Sequence, residues 1–361
     1  MFENFLSVCK DVTKTTRKIP QGEYLSDGTY KIFDQGKNYI GGYCNTANGV
    51  ASDYPYIVFG DHTRVIKYIN EPCYIGADGV KLLKVYNNDF IPKFVYYAML
   101  ANPVEHQGYS RHFKLLKETK IRKYDKSIQN TIIDELDKIN LAISLKESIL
   151  NHLDELVKSR FIEMFGTLDL SIQGESWLPL SEISTIYTGT TPSTKEKENW
   201  DGKIPWITPA ELSEDSFFVF DSERKITEKG LKSKSLSLMP KNTVLLSTRA
   251  PIGKVAIAGI EMCCNQGFKN FHCNNTILNP IYLYTLLKNN NEYLNSLGTG
   301  TTFKEISKTN VSKIKVPVAN ISLQNEFAEY VKLIDKSKFI VQKQIDDLQE
   351  LLDSKMDEYF G

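Results

Sequence analysis

QNTIIDELDKINLAISLKESILNHLDELVKSRFIEMFG, residues 129–166, and QNEFAEYVKLIDKSKFIVQKQIDDLQELLDSKMDEYFG, residues 324–361, align without a gap at a spacing of 195 positions. Ten of the 38 pairs are identical, among them Gln129-Asn130 with Gln324-Asn325, Leu153 with Leu348, Glu155-Leu156 with Glu350-Leu351, and Phe165-Gly166 with Phe360-Gly361. Any two amphipathic helices share an apolar period, but matched polar ends point to an internal duplication. Earlier landmarks recur at similar offsets: Gly79-Val80-Lys81 with Gly267-Phe268-Lys269, Pro92 with Pro280, and Phe113-Lys114 with Phe303-Lys304. The chain reads as two copies of one plan.

Within the first stretch, apolar residues step by four and three through Ile132, Leu136, Ile139, Ile143, Leu150, Leu153, Val157 and Met164, with Lys146 and Arg160 filling the remaining positions. That is a heptad seam. The second stretch keeps the register through Phe327, Val331, Ile334, Val341, Ile345, Leu348, Leu352 and Tyr359, interrupted by Lys338 and Lys355. Each seam predicts roughly 50 Å of helix at 1.5 Å per residue. Because globular halves alternate with long helices, the simplest chain path packs the second helix antiparallel to the first, with the halves at opposite ends and related by a pseudo-two-fold axis. The expected fold class is therefore α/β (α+β): domains at 1–127 and 168–323, separated by long helices at 128–167 and 324–361 that pair as an antiparallel coiled coil.

A chain of 361 residues with 41% apolar content can bury two ordinary cores. No charged-then-apolar leader follows Met1 and no apolar run approaches the ~18 residues of a membrane span, so a soluble, cytoplasmic protein is expected. Cys9, Cys44, Cys73, Cys263, Cys264 and Cys273 have no disulfide-framework spacing, which fits reduced thiols. Net charge is zero, but it is unevenly divided. Residues 1–127 carry 18 basic against 13 acidic side chains and residues 168–323 carry 17 against 15, whereas the helical stretches 128–167 and 324–361 carry 4 against 7 and 5 against 9. A basic excess in the globular halves is compatible with phosphate binding and also with an ordinary solvated surface.

Short β-rich runs at 56–59, 65–69, 243–247 and 255–258 are punctuated by glycine and proline. One helix per half is predicted to open with Pro92 or Pro280 at its first position, running through residues 94–100 or 282–287.

Several of these strings resemble the specificity subunits of Type I restriction-modification systems. Residues 180–192 (LSEISTIYTGTTP), 204–208 (IPWIT), 247–255 (STRAPIGKV), 265–267 (NQG) and 298–306 (GTGTTFKEI) look like landmarks of that family's target recognition domain. In the first half, Asp34-Gln35-Gly36, residues 40–43 and residues 59–64 (FGDHTR) play the same part. The resemblance covers the whole chain. It implies a subunit without catalytic chemistry that reads a split, asymmetric target in double-stranded DNA, one part per globular half, while the helices set the spacing. It also implies two modification subunits, which hold the S-adenosylmethionine and methylate adenine, and restriction subunits that join for cleavage.

Residue chemistry supplies candidates for the DNA contacts. Arg and Lys suit guanine edges and phosphates. In the second half these are Arg249, Lys254 and Lys269, with Thr190 and Thr191. The glycine-threonine run before Lys304 adds Thr301, Thr302 and backbone N–H groups that suit phosphate. In the first half they are Lys37, His62, Arg64, Lys67, Lys81, Arg111 and Lys114. The opposing reading of each is a surface charge paired with a neighbouring carboxylate, or an ordinary turn. Cys263-Cys264 with His272-Cys273 raises a zinc site, but adjacent cysteines fit one tetrahedral ion poorly, so buried thiols are expected. Searches for an enzyme fail. Asn279-Pro280-Ile281-Tyr282 lacks the second proline of the amino-methyltransferase motif and reads as a helix start, Glu223-Arg224-Lys225 has no Pro-Asp to complete a nuclease metal site, and no nucleotide-binding G-x-x-x-x-G-K-[ST] loop occurs. A free-standing DNA-binding regulator and a protein-binding scaffold remain as alternatives.

If the long helices act as a ruler, one heptad inserted after Leu150 and another after Ile345 should lengthen them by roughly 10 Å. The spacer between half-sites should then grow by about three base pairs at 3.4 Å each. Methylome sequencing that returned both half-sites with an unchanged spacer would reject the ruler.

Overall fold

The computed structural model describes residues 1–108, 110–213, 216–234, 236–249, 251–300 and 304–361. Two 40-residue helices, α4 (Lys126–Phe165) and α10 (Ile321–Phe360), contain the duplicated stretches up to their closing glycines and start three residues before Gln129 and Gln324. The chain divides into compact units within these helices: one unit holds Met1–Ser148 with Gln342–Gly361, the other Ile149–Val341. Among the described residues no helix is long and apolar enough to cross a membrane.

In the first unit, β1 (Phe2–Asn4) pairs with β10 (Lys120–Arg122). β2 (Cys9–Asp11), β9 (Val80–Val85), β6 (Tyr56–Gly60) and β7 (Ile66–Ile69) then form an antiparallel sheet in the order β2-β9-β6-β7. A second sheet, in the order β3-β8-β4-β5, is built from β3 (Lys18–Ile19), β8 (Cys73–Gly76), β4 (Tyr30–Phe33) and β5 (Gly42–Cys44). β6 is buried along its whole length because both of its faces are covered. Ile57 and Phe59 pack with Phe94, Val95 and Ala98 of α2 (Pro92–Ala101), while Tyr56 and Val58 pack with Phe33 and Ile75. Such a strand reads as a continuous apolar run rather than an alternation. The short helices α1 (Phe5–Val8) and α3 (Phe113–Leu116) complete the unit.

The second unit repeats the plan with additions. β12 (Ser184–Thr188), β19 (Lys269–Cys273), β16 (Val244–Leu246), β17 (Val255–Ala258) and β14 (Phe218–Val219) follow in the order β12-β19-β16-β17-β14. β15 (Lys225–Ile226), β13 (Trp200–Ile207) and β18 (Cys263–Cys264) form the second sheet. β11 (Leu178–Pro179) pairs with β20 (Lys315–Val316). The helices are α5 (Leu180–Ile183), α6 (Glu228–Ser233), α7 (Pro280–Asn289), α8 (Asn291–Ser296) and α9 (Lys308–Ser312).

Strand registers confirm the duplication. Cys9 faces Val85 in the first unit as Ser184 faces Cys273 in the second. The Phe5 N–H reaches the Thr119 carbonyl at 3.0 Å just as the Leu180 N–H reaches Ile314 at 2.9 Å. These pairs also correct one landmark. Phe113 and Lys114 begin α3, whose counterpart by position is α9 at Lys308, whereas Phe303 lies outside the described residues.

All twenty seam positions are buried or half-buried, including the lysines and arginine that interrupt the apolar pattern. Polar partners accommodate three of those four charges at the seam's edge. In the first unit the Tyr359 hydroxyl donates to Glu135 and Lys355 lies 4.0 Å from the same carboxylate. In the second, Lys338 pairs with Asp154 at 2.8 Å and Arg160 with Glu326 at 3.1 Å. Within each unit an early part of one helix meets a late part of the other, so the segments of α4 and α10 in each unit pack antiparallel, the simpler of the two expected arrangements.

The identical Phe-Gly ends have a shared purpose. Gly166, at φ +79°, takes the left-handed conformation that ends a helix at little steric cost, and its N–H bonds to Ile162 at 2.8 Å. Phe165 then packs on Tyr282 of α7 with ring centroids 4.8 Å apart, as Phe360 packs on Phe94 of α2 at 5.2 Å.

Gln129 and Gln324 are wholly buried, and their carboxamides make matching bonds. Gln129 Oε1 accepts from the Ile91 N–H at 2.8 Å, and its Nε2 donates to the carbonyls of Asp89 at 2.7 Å and Tyr124 at 2.8 Å. Gln324 Oε1 accepts from Asn279 at 2.8 Å, and its Nε2 donates to Ile277 at 3.0 Å and Ala319 at 2.7 Å. The three partners also fix which way round each amide lies. Each glutamine ties its long helix to the start of α2 or α7 and to the connection preceding the helix.

Gln324→Ala would leave one buried N–H and two buried carbonyls without this partner, and an unsatisfied buried group costs about 1–3 kcal/mol. The expected loss of stability is at least about 2 kcal/mol in urea titration. Amide-exchange protection should fall around residues 277–279 and 319 and be retained around residues 89–91, with the reverse pattern for Gln129→Ala.

Candidate nucleic-acid interface

In the second unit, four loops converge beside β16 and β19. Gly189 lies against residues 264–265 so closely that a Cβ would sit 2.0 Å from the Cys264 carbonyl oxygen, which only glycine permits. Thr191 Oγ1 donates to Gln266 Oε1 at 2.7 Å, joining the Thr-Gly-Thr-Thr-Pro and Asn-Gln-Gly loops. Thr248 donates its N–H to the Gly267 carbonyl at 2.7 Å, and its own carbonyl accepts from Ile306 at 2.9 Å. Residues 247–249 and 304–306 are thereby held to the other two loops.

The charges at this junction are coupled through Glu305. Its carboxylate accepts from Arg249 Nε at 2.8 Å and from Lys269 Nζ at 3.3 Å. Burial acts against ionisation, yet these two cations hold Glu305 below the ordinary glutamate pKa. Lys269 is buried and also lies 3.4 Å from Thr248 Oγ1 and from the Gln266 carbonyl. Lys254 points inward, bonding the Pro209 carbonyl at 3.3 Å and the Leu212 carbonyl. Arg249 keeps 45% of its side-chain surface exposed, so its guanidinium retains an open edge. Thr190 and Thr191 are half-buried, Lys304 is exposed, and Thr301 and Thr302 lie outside the described residues.

The corresponding loops of the first unit converge on Gln35. Its Oε1 accepts from the His62 N–H at 3.3 Å and its carbonyl from Thr63 Oγ1 at 2.7 Å. Gly60 and Gly79 both pack against its side chain. Buried Asp61 links residues 60–64 to His112 and Phe113: its carboxylate accepts from the Phe113 N–H at 2.7 Å and its carbonyl lies 3.0 Å from His112 Nδ1. His112 Nε2 accepts from the Gln107 N–H at 3.1 Å, so Nδ1 carries the proton and donates.

The first unit's candidates divide in the same way. Lys67 is only 3% exposed, with Nζ 2.6 Å from the Asn38 carbonyl and 3.4 Å from Asp34, and burial lowers its pKa despite that carboxylate. Arg64 adopts φ +62° and turns Nη1 onto the Val104 carbonyl at 3.0 Å. Lys81 pairs with Asp11 at 3.2 Å and lies over the Phe113 ring. His62 is half-buried, whereas Lys37, Arg111 and Lys114 are exposed.

Sequence reading missed the organising residues Gln35, Gln266, Asp61 and Glu305. Gln35 and Gln266 both sat in quoted Gln-Gly strings, which was the available signal. All six thiols are free and buried, as expected, and burial pushes Cys263, Cys264 and Cys273 up to about 12. Asn279 caps α7, its Oδ1 accepting from the Ile281 N–H at 2.8 Å, so the methyltransferase-like string is a helix start.

Residues 177–350 match the model of the Type I restriction modification DNA specificity domain. The Escherichia coli Type I restriction enzyme EcoR124I/EcoR124II specificity subunit is 27% identical over 334 residues, covering 87% of this chain and 80% of that protein. The Methanocaldococcus jannaschii MjaIX specificity subunit is 37% identical over 185 residues, covering 50% of this chain and 43% of its own length, which is less than two thirds. Among solved structures, the S subunit of a Type I restriction-modification system from M. genitalium superposes with a TM-score of 0.63 at 16% identity, covering 100% of this chain and 96% of that one.

Glu305 supplies a pH signature of the second unit. Its folded pKa is lowered, so the stability it contributes is present above the unfolded glutamate value and is lost as pH falls through the folded one. Urea titrations across the acid range should show this component in the parent chain and its absence in Glu305→Gln. Equal acid sensitivity of the two proteins would contradict the coupling.

Proposed function

We propose that this chain is a DNA specificity subunit of a Type I restriction-modification system, which reads a bipartite, asymmetric site in double-stranded DNA and positions the enzymes that act on it. The observation that carries this reading is the recurrence of four converging loops on equivalent strands, organised by Gln35 in one unit and by Glu305 and Gln266 in the other. Equivalent frames with different loop chemistry suit two half-sites of different sequence.

The proposed division gives residues 1–127 one half-site and residues 168–323 the other. Exposed Lys37, Arg111, Lys114 and Lys304 are suited to phosphate, and the open edge of Arg249 to a base edge or a phosphate. Thr190 and Thr191 remain proposed contacts. Lys67, Lys254 and Lys269 hold loops in place, and Lys81, His62 and Arg64 act from half-buried positions. The chain's own part is binding and orientation. S-adenosylmethionine belongs to the partner modification subunits, which methylate adenine, two per specificity subunit, with restriction subunits completing the complex.

Co-purification with the methyltransferase, followed by methylome sequencing, tests the assignment. Arg249→Ala should weaken recognition by about 1–3 kcal/mol if the residue reads a base, and it should relax only one half-site. Arg64→Ala should affect only the other, by loosening its loop from Val104. Relaxation of both half-sites by one substitution would overturn the modular reading. Specific DNA binding with no methyltransferase partner would identify a free-standing regulator instead.

A further inference from the structure

The seven arginines are held very differently. Arg17, Arg160 and Arg249 pair with carboxylates, and Arg64 turns onto a backbone carbonyl. Arg224 is exposed, forms no ion pair among the described residues, and lies over the face of Trp200 with its guanidinium carbon 3.6 Å from the ring centroid. A second indole, that of Trp206, is 5.4 Å away. The two rings meet edge to face at 5.1 Å and are 8% and 2% exposed, so the stacking surface is fixed by the core. Stacking leaves the rim of a guanidinium, where all five N–H groups lie, free to donate.

This platform is joined to the interface described above. Trp200 Nε1 donates to the Ser193 carbonyl at 3.1 Å and Trp206 Nε1 to the Thr190 carbonyl at 3.0 Å. The Trp206 N–H bonds the Arg224 carbonyl at 3.0 Å. Both indoles thus carry the segment from Thr190 to Ser193, whose Thr191 bonds Gln266 at the loop junction. The first unit has no tryptophan to form such a platform, since Trp177, Trp200 and Trp206 all lie in the second. At the start of β5, which pairs with β4 in the first unit, residues 41 and 42 are both glycines, where a Cβ would meet Asp34 Oδ2 at 2.5 Å and the Tyr24 side chain at 2.7 Å.

Resting on the functional reading above, we infer that Arg224 is a DNA contact of the second unit, its indole-stacked guanidinium offering two parallel N–H donors to a pair of acceptors on the duplex. Two phosphate oxygens or the O6 and N7 of a guanine present such a pair. Stacking fixes the plane beforehand, so little side-chain freedom is lost on binding.

The test uses the complete complex with its methyltransferase, a duplex carrying the target found by methylome sequencing, and a non-target duplex, each titrated over a range of KCl. Arg224→Met keeps an apolar stem against Trp200 but removes the donors, and Arg224→Lys keeps the charge without the fork. Thermal melting verifies folding of both. Arg224→Met is expected to bind the target about tenfold more weakly, with Arg224→Lys restoring only a minor part. A phosphate contact would weaken both duplexes alike and reduce the salt slope by about 1, whereas a guanine contact would relax one position of the second unit's half-site. The inference is overturned if folded Arg224→Met binds and methylates like the parent, or if Arg224→Lys equals it. A parent complex that fails to distinguish target from non-target would instead overturn the functional reading, and this inference with it.

Discussion

A single buried carboxamide joins each long helix to the domain from which it departs. Gln129 and Gln324 use all their principal hydrogen-bonding groups on backbone, and each gathers three segments: the residue before α2 or α7, the loop leading to it, and the connection into the long helix. Such an amide tolerates little rearrangement, because in a site without exposed surface a lost partner is not replaced by water. Leucine would fill the volume but leave a buried N–H and two carbonyls unsatisfied. The joint therefore fixes how each seam leaves its own unit, and the chain uses it twice.

From that joint the seam follows as a packing consequence. The apolar positions of α4 and α10 face one another within each unit, and charged residues at seam positions are accommodated by partners across it, as in Lys338 with Asp154. Phenylalanines at the helix ends close the arrangement by packing against α7 and α2. Antiparallel order means that the end of α4 completes the second unit's core and the end of α10 completes the first's.

The two interfaces show how one frame is given different chemistry. Strand registers coincide, but one junction turns on a glutamine and a buried aspartate, the other on a glutamate that binds an arginine and a lysine. Several basic residues stiffen the loops instead of facing solvent. Lys67 in the first unit and Lys254 in the second direct their ammonium groups at backbone carbonyls, so each belongs to the scaffold of its own unit, the second of which also carries Arg249 and the stacked Arg224.

Much of the architecture was legible in the sequence because its causes are local and periodic. The heptad steps placed the seam, and proline at the first helical position placed the starts of α2 and α7. The lesser details of the repeat were harder, since insertions in the second half shift the offset and misaligned Phe113 with Phe303. Charge and residue type named candidates for the interface but could not distinguish a lysine that faces solvent from one that anchors a loop. That distinction depends on partners far along the chain: Asn38 for Lys67, Pro209 for Lys254, Glu305 for Arg249, and Trp200 for Arg224. The sequence by itself determined the two copies, their helices and their pairing, since a repeated apolar period has one economical way to be buried. Only the tertiary structure decided which charges remain open to a ligand, because that depends on which carbonyls, carboxylates and rings the fold brings within hydrogen-bonding or stacking reach.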